Sequence, residues 1–263
     1  MTFAENLDVR TILILREDRF SARLIFDLAR EVFPAAACRI VQRMTDVSAV
    51  MARETVDLWL TGLEAADGDL LDFLARGLAP REALRRVLIV TAQREYHLLQ
   101  SLRRLPVGGV FDLREEEPVQ LKEAIRSVAA GRHYWSESLL ARLREHLAAA
   151  LPLARMLTPL EVMVLSVLGA GIDDESAAER LDLKASSVHS VRRQLHHKLG
   201  FRHRGDLMRF AAEHGFVRFT EEGIVHPGLA LLREACHPRS RGKKASGQPR
   251  PVASGGAGQV PPR

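Results

Sequence analysis

Short apolar runs alternate with longer segments of helical spacing along the first half of the chain. Five short apolar runs stand out, in this order: TILIL, CRIVQ, DLWLTGL, RVLIVTA and GGVF. Between them, apolar residues recur every three or four positions. Short apolar runs are typical of buried strands, whereas the longer spacing is typical of amphipathic helices. The order predicts an α/β doubly wound domain over residues 10–132, with five parallel strands in its sheet.

The pattern becomes purely helical after residue 132. Apolar residues of the next segment lie three and four positions apart, at Leu140, Leu143, Leu147 and Leu151. This spacing predicts a helical linker over 133–154. Helical spacing then continues to about Phe219, which predicts an all-α domain over 155–219 with no strand. Residues 237–263 are rich in Gly, Pro, Ser and basic residues, so we expect a disordered basic tail.

One helix of the second domain has two sharply different faces. From Ser187 to Leu199, one apolar stripe is formed by Val188, Val191, Leu195 and Leu199. The opposite face then carries Ser186, His189, Ser190, Arg193 and His197. The helix is expected to end at Gly200, and a tight connector joins it to a short helix over Asp174 to Leu181. This arrangement predicts a helix-turn-helix at about 174–193.

The distribution of charge is more informative than the total. The net charge is +5, but the tail from His237 to Arg263 holds six basic residues and no acid, so the other 236 residues sum to −1. Within that nearly neutral body, Lys184 to Arg209 has seven basic residues against Asp206 alone. A basic patch on a neutral fold indicates a polyanionic partner, most often nucleic acid. A merely solvated helix face remains the alternative at this point.

The polar face of this helix suits double-stranded DNA. A major groove about 12 Å wide admits a helix, and side chains of these lengths reach base edges there. We therefore expect His189, Ser190 and Arg193 to contact bases. Flanking cations would hold backbone phosphates; the candidates are Arg192, His197, Lys198 and Arg204.

Composition and motifs exclude several classes of protein. The chain is 46% hydrophobic and 27% charged, and no apolar run approaches the roughly 18–20 residues of a membrane-spanning helix. We therefore expect a cytoplasmic protein without membrane contact. Its two cysteines, Cys38 and Cys236, are too far apart in sequence to suggest a disulfide scaffold or a zinc site. The motifs GxxxxGK[ST], HExxH and GxSxG do not occur, so we expect no enzyme activity, no cofactor and no metal.

Motifs of the second domain resemble the LuxR-type DNA-binding domain. They are LTPLE, VLSVLGAG, AAERL, SSV and HHKLGFRHRGDL, matched without a gap between Leu157 and Leu207. The resemblance implies four helices, with Ser186 to Leu199 as the recognition helix and Asp174 to Leu181 supporting it. It also implies that the last helix, about Gly205 to His214, is a dimerisation element, so we expect a homodimer.

Four positions depart from the LuxR-type pattern. They are Leu160, Ala177, Lys184 and Ser187. Lys184 stands at the usual position of a capping serine, and its side chain cannot accept amide hydrogen bonds. These departures affect helix stability and the target sequence more than DNA binding itself.

The first domain resembles the receiver domain of response regulators, and both domains together resemble the NarL/FixJ group. The resemblance places Glu17 and Asp18 at the magnesium-binding acids and Thr91 at the switch threonine. It places Gly62 at the phosphorylated position, where glycine cannot accept a phosphoryl group. The expected lysine falls at Asp112 or Leu113. We therefore expect a degenerate receiver that is not phosphorylated at the usual position.

Two alternatives remain open. A shifted register could make Asp57 or Glu64 the phosphorylated residue, although Asp57 lies near the start of its strand. The main expectation is a sequence-specific DNA-binding transcription regulator. The alternative function is a protein-interaction regulator, which captures another regulator through the receiver-like domain and contacts DNA only in a heteromeric complex.

Overall fold

The computed structural model describes residues 7–65, 67–76, 84–220 and 223–236 of the chain. The side chains of residues 147 and 149–155 are not described, although their backbone belongs to a helix. The predicted basic tail, 237–263, therefore lies outside the described residues, as do the linker side chains Leu147 and Leu151.

A parallel sheet of six strands forms the centre of the first domain. Its strands are β1 (Thr11–Leu15), β2 (Ala37–Val41), β3 (Leu58–Thr61), β6 (Val87–Thr91), β7 (Gly109–Asp112) and β8 (Tyr134–Trp135), in the spatial order β2-β1-β3-β6-β7-β8. A small separate hairpin is formed by β4 (Glu64–Ala65) and β5 (Gly68–Asp69). The predicted doubly wound α/β fold is confirmed, but the prediction of five strands is wrong. The sixth strand has only two residues, both half-buried, so it leaves no apolar run in the sequence.

Helices cover both faces of this sheet. They are α1 (Arg19–Val32), α2 (Met44–Met51), α3 (Leu70–Ala75), α4 (Tyr96–Arg104) and α5 (Pro118–Ala129). Successive strand side chains point to opposite faces. Ile12 and Ile14 of β1 accordingly pack with residues of α1 and α5, whereas Leu13 and Leu15 pack with α2, α3 and α4. Because both faces are buried, the strands are continuous apolar runs rather than alternating ones.

The second domain follows a long connecting helix. The elements are α6 (Glu137–Met156), then α7 (Pro159–Leu168), α8 (Asp174–Leu181), α9 (Ala185–Leu199) and α10 (Arg204–Glu213). The predicted all-α domain of four helices is confirmed by α7 to α10. No helix in the described ranges is long and apolar enough to cross a membrane.

An extension beyond α10 was not predicted. It contains β9 (Arg218–Thr220), β10 (Gly223–Val225) and α11 (Leu229–Cys236). The prediction of helix alone up to Phe219 is therefore wrong at its end. Each strand of this hairpin has three residues, which is too short to show a period of two. Phe219 and Ile224, which pair across the two strands, are both exposed, so the hairpin has the sequence pattern of a loop.

Helix α11 packs against α7 of the second domain and α3 of the first. Its neighbouring residues Leu231 and Leu232 are both buried, but Leu231 belongs to the core of the first domain and Leu232 to that of the second. The extension thereby joins the two domains.

Candidate functional site

Helix α9 presents the two faces that its sequence predicts. Val188, Val191 and Leu195 are buried in the core of the helical domain, and Leu199 is half-buried against it. The opposite side chains are all exposed: Ser186, His189, Ser190, Arg193 and His197. Helix α9 therefore sits on α7 and α8 through one stripe and offers a polar, cationic face to solvent.

Local signals set the ends of α8 and α9. Asp173 caps α8 by accepting a hydrogen bond from Ser176 N at 2.8 Å. Asp182 ends α8 in the left-handed region with φ 57°, and Gly200 ends α9 there with φ 69°. Lys184 makes no side-chain capping bond at the start of α9, as expected for lysine. Helix α8 has the predicted bounds, and α9 begins one residue earlier than Ser186.

The three candidate base contacts lie along the exposed face of α9. In the part of the chain that the structure describes, Arg193 and Ser190 have no side-chain hydrogen bond or ion pair. His189 differs, because its Nδ1 lies 3.1 Å from Asp174 Oδ2 on α8. The Arg193 guanidinium is thus free to meet an external acceptor.

The four candidate phosphate contacts divide into two pairs. His197 and Arg204 are exposed. Arg192 and Lys198 are engaged in internal ion pairs, with Asp174 at 3.0 Å and with Glu161 at 2.8 Å. Asp174 and Glu161 were not predicted as partners, since each pairs with a residue on another helix. All four phosphate contacts stay predictions.

Lys198 stabilises the start of the helical domain. Its Nζ donates to Met156 O and to Glu161 Oε2, and the Glu161 side chain is only 4% exposed. Burial opposes ionisation of Glu161, but hydrogen bonds from Lys198 and Thr158 outweigh it and lower the pKa of this carboxyl. Thr158 and Glu161 also form a capping box around Pro159 at the start of α7.

Replacing Lys198 with methionine is therefore expected to destabilise the protein. Removal of one partner leaves a buried carboxylate without its cation, which costs about 3–5 kcal/mol when both groups are fully buried. The Lys198 side chain is 33% exposed, so solvent screening reduces the expected loss of unfolding free energy to about 1–3 kcal/mol. Chemical denaturation of the full chain measures it. Arg204→Met is the matched control, and we expect it to unfold like the wild type; a wild-type curve for Lys198→Met would contradict the structural role.

The pocket at the carboxyl ends of the strands is occupied by an arginine. Gly62 directly follows β3, and Arg16 directly follows β1. A Cβ added at Gly62 would lie 2.5 Å from Arg16 Nη1, which itself donates to Val90 O at 3.0 Å. A guanidinium thus lies beside the position that the receiver pattern assigns to the phosphorylated aspartate.

The other predicted pocket residues have structural partners or face solvent. Asp18 caps α1 through Ser21 N at 2.7 Å, and Glu17 is exposed. The buried Thr91 accepts a hydrogen bond from Gln93 N at 3.0 Å. Among the described residues, no group of three or more acidic, His or Cys side chains could hold a metal ion.

Strand β7 ends at Asp112, one of the two residues predicted at the lysine position. Asp112 is fully buried, and its carboxylate meets Arg94 Nε at 3.3 Å and the Ser138 hydroxyl at 2.8 Å. A cation, Arg16, therefore lies beside the expected acceptor position, and an acid, Asp112, lies at one of the two candidate lysine positions. The one indication of this arrangement in the sequence is Arg16, which directly follows the apolar run TILIL of β1.

The shifted-register candidates are engaged elsewhere. Asp57 Oδ2 accepts hydrogen bonds from Arg10 N at 2.9 Å and Thr11 N at 3.0 Å, at the opposite edge of the sheet. Glu64 forms an ion pair at 3.0 Å with Arg218 of β9.

Comparisons with known proteins give one related sequence and several structures of similar fold. No protein-family model matches the sequence. The transcriptional regulatory protein MctR of Rhizobium johnstonii is 29% identical over 108 residues, which cover 41% of this chain and 49% of that protein. The chain thus matches about half the length of this curated relative.

Solved structures of the RcsB response regulator from Salmonella enterica serovar Typhimurium cover more of the chain. RcsB bound to the promoter P1flhDC matches with a TM-score of 0.52 and 17% identity, over 78% of this chain and 99% of RcsB. RcsB bound to the promoter rprA matches with a TM-score of 0.50 and 16% identity over the same shares. This chain therefore has the two-domain fold of RcsB, with a receiver-like domain followed by a helix-turn-helix domain.

Proposed function

We propose that this chain is a sequence-specific DNA-binding transcription regulator that acts as a homodimer. Residues 155–219 would bind double-stranded DNA through α9, and residues 10–132 would form the controlling receiver-like domain, with 133–154 as the linker. The observation that carries the proposal is the exposed face of α9, where Ser190 and Arg193 have no partner within the described residues. The match to promoter-bound RcsB and to a transcriptional regulator supports it.

The test is selection of genomic DNA fragments by the purified full chain at near-physiological salt, beside Arg193→Ala. If Arg193 contacts a guanine in bidentate geometry, its loss weakens binding to the selected sequence by about 1–3 kcal/mol. We expect an enriched shared motif with the wild type and its loss with the variant. Arg126→Ala, which removes an exposed arginine from α5, is the matched control and should select the same motif as the wild type.

Other outcomes identify the alternative function. Binding without sequence selection, unchanged by Arg193→Ala, would contradict base recognition by α9. Such a result favours a regulator that recognises DNA only together with another protein, in which case the receiver-like domain supplies the contact to that partner.

The proposal includes a receiver that is not phosphorylated at the usual position. Gly62 has no nucleophile, and Arg16 fills the space beside it. After incubation with acetyl phosphate and Mg²⁺, intact mass spectrometry is expected to show the unmodified chain. Gly62→Asp is expected to remain unmodified as well, because the new carboxylate would pair with Arg16. A receiver with an intact acidic pocket serves as the positive control, and phosphorylation of the wild-type chain would contradict this part of the proposal.

A further inference from the structure

An ion-pair cluster joins the two helices of the helix-turn-helix. Asp174 lies in the first turn of α8, and its Oδ2 is 3.0 Å from Arg192 Nη2 and 3.1 Å from His189 Nδ1 on α9. The Asp174 side chain is only 12% exposed. One carboxylate therefore contacts both a predicted phosphate contact and a predicted base contact.

The contact uses the guanidinium of Arg192 incompletely. Arg192 Nη2 lies 3.0 Å from Asp174 Oδ2 and 3.0 Å from His189 Nδ1, while the buried Nε of Arg192 has no hydrogen-bond partner. Guanidinium groups bind carboxylates and phosphates best through two parallel hydrogen bonds. Because Nε is buried, an external phosphate can reach it only after the Arg192 side chain has moved away from Asp174.

Further acids lie around this contact. Asp173, Asp174 and Glu175 line one side of a cleft of about 340 Å³, whose other side includes Arg192 and Arg204. In helix-turn-helix proteins, the first helix crosses the DNA backbone while the second enters the major groove. The acids at the start of α8 would therefore lie where DNA phosphates approach. There, Asp174 competes with the phosphates for Arg192.

We propose that Asp174 is an internal electrostatic brake on DNA binding. It holds Arg192 and His189 against α8, so a DNA phosphate must displace a carboxylate before it can bind Arg192. Through Arg192, the brake lowers affinity for any DNA sequence, since phosphate contacts carry no base information. This inference rests on the proposed function and adds the regulation of the same surface.

The first test compares DNA affinity of the full chain and Asp174→Asn. We expect the variant to bind both a selected fragment and an unrelated one about fivefold more tightly or better, as one released charge-assisted contact predicts. One additional phosphate contact also steepens the dependence of log affinity on log salt by about 0.9. Glu175→Gln removes the same charge from the same turn, but Glu175 has no partner in the described residues, so its effect should be smaller.

A double variant separates release of Arg192 from loss of a negative charge. In an Arg192→Ala background, Asp174→Asn should gain no more affinity than Glu175→Gln gains in the wild type. Thermal unfolding of each variant checks that the helical domain remains folded.

Three outcomes would overturn the inference. Equal gains for Asp174→Asn and Glu175→Gln would show a general charge effect, and weaker binding by Asp174→Asn would show that Asp174 orients Arg192 toward DNA. Both leave the proposed function intact. Failure of the wild type and every variant to bind any DNA would instead overturn the proposed function itself.

Discussion

Gly169→Ala is expected to destabilise the helical domain by about 3 kcal/mol, at the upper end of the usual cost of overpacking. Gly169 follows α7, and a Cβ there would lie 2.3 Å from the Cβ of Ala211 on α10 and 2.9 Å from Val217 Cγ2. Ala211 is fully buried and its Cβ is fixed to the backbone of α10, so α10 itself must move. The substitution should also weaken DNA binding at temperatures where the wild type is folded, since α9 rests on the same core.

Urea denaturation of the full chain measures this loss. Gly205→Ala is the matched control: Gly205 lies in the first turn of α10, and its added Cβ would have no atom within 4 Å. Alanine favours a helix over glycine by up to about 1 kcal/mol, so the control should be as stable as the wild type or slightly more stable. Coincident curves for Gly169→Ala and the wild type would contradict the close approach of α7 and α10.

The helix-turn-helix was the most predictable part of the fold, because its signals are local. The apolar spacing of Val188, Val191 and Leu195 is sufficient to orient α9. The bounds of α8 follow from a capping aspartate before it and from Asp182 after it. These features lie within or next to the two helices, so they can be recognised without knowing which distant segments the helices contact.

The receiver pocket was predictable only in part. The absence of a nucleophile at Gly62 could be inferred from the sequence, but the position of the Arg16 side chain beside it could not. Arg16 is 46 residues from Gly62 in the chain, and only the pairing of β1 with β3 brings them together. The pairing of Asp112 with Arg94 likewise depends on neighbouring strands β6 and β7.

The connection between the domains could not be predicted from the sequence either, because it joins residues that are distant in the chain. Two aspartates of the first domain bind the backbone at the start of α11: Gly228 N donates to Asp69 Oδ2 at 3.1 Å, and Ala230 N donates to Asp72 Oδ1 at 2.8 Å. Carboxylates stabilise a helix N-terminus by accepting its free amides and by meeting the positive end of its dipole. Because Asp69 and Asp72 lie about 160 residues earlier in the chain, they cannot be recognised from sequence as caps of this helix.

Asp69 makes this connection dependent on pH. Burial, reinforced by the charge of Asp72, raises the pKa of Asp69 from 3.8 to about 6, and Asp69 Oδ1 has no hydrogen-bond partner. The folded state therefore favours the neutral carboxyl. The stability that the folded protein gains from protonated Asp69 is fully present below the unfolded pKa of 3.8, and it is lost as the pH rises through about 6. At 1.36 kcal/mol per pKa unit, the ionised group costs the folded protein about 3 kcal/mol above that pH.

Asp69→Asn is therefore expected to stabilise the protein at pH 8 by up to about 3 kcal/mol, and the gain should shrink as the pH is lowered to about 5. The amide oxygen can keep the hydrogen bonds from Gly228 N and Asp72 N, while its NH2 group replaces the unpartnered Oδ1 beside Asp72. Urea denaturation at several pH values measures the difference. Asp46→Asn, at an exposed aspartate of α2, is the control and should show no comparable pH-dependent gain. A gain for Asp69→Asn that stays constant between pH 5 and 8 would mean that the buried carboxyl does not titrate there, because only its ionisation makes the difference depend on pH.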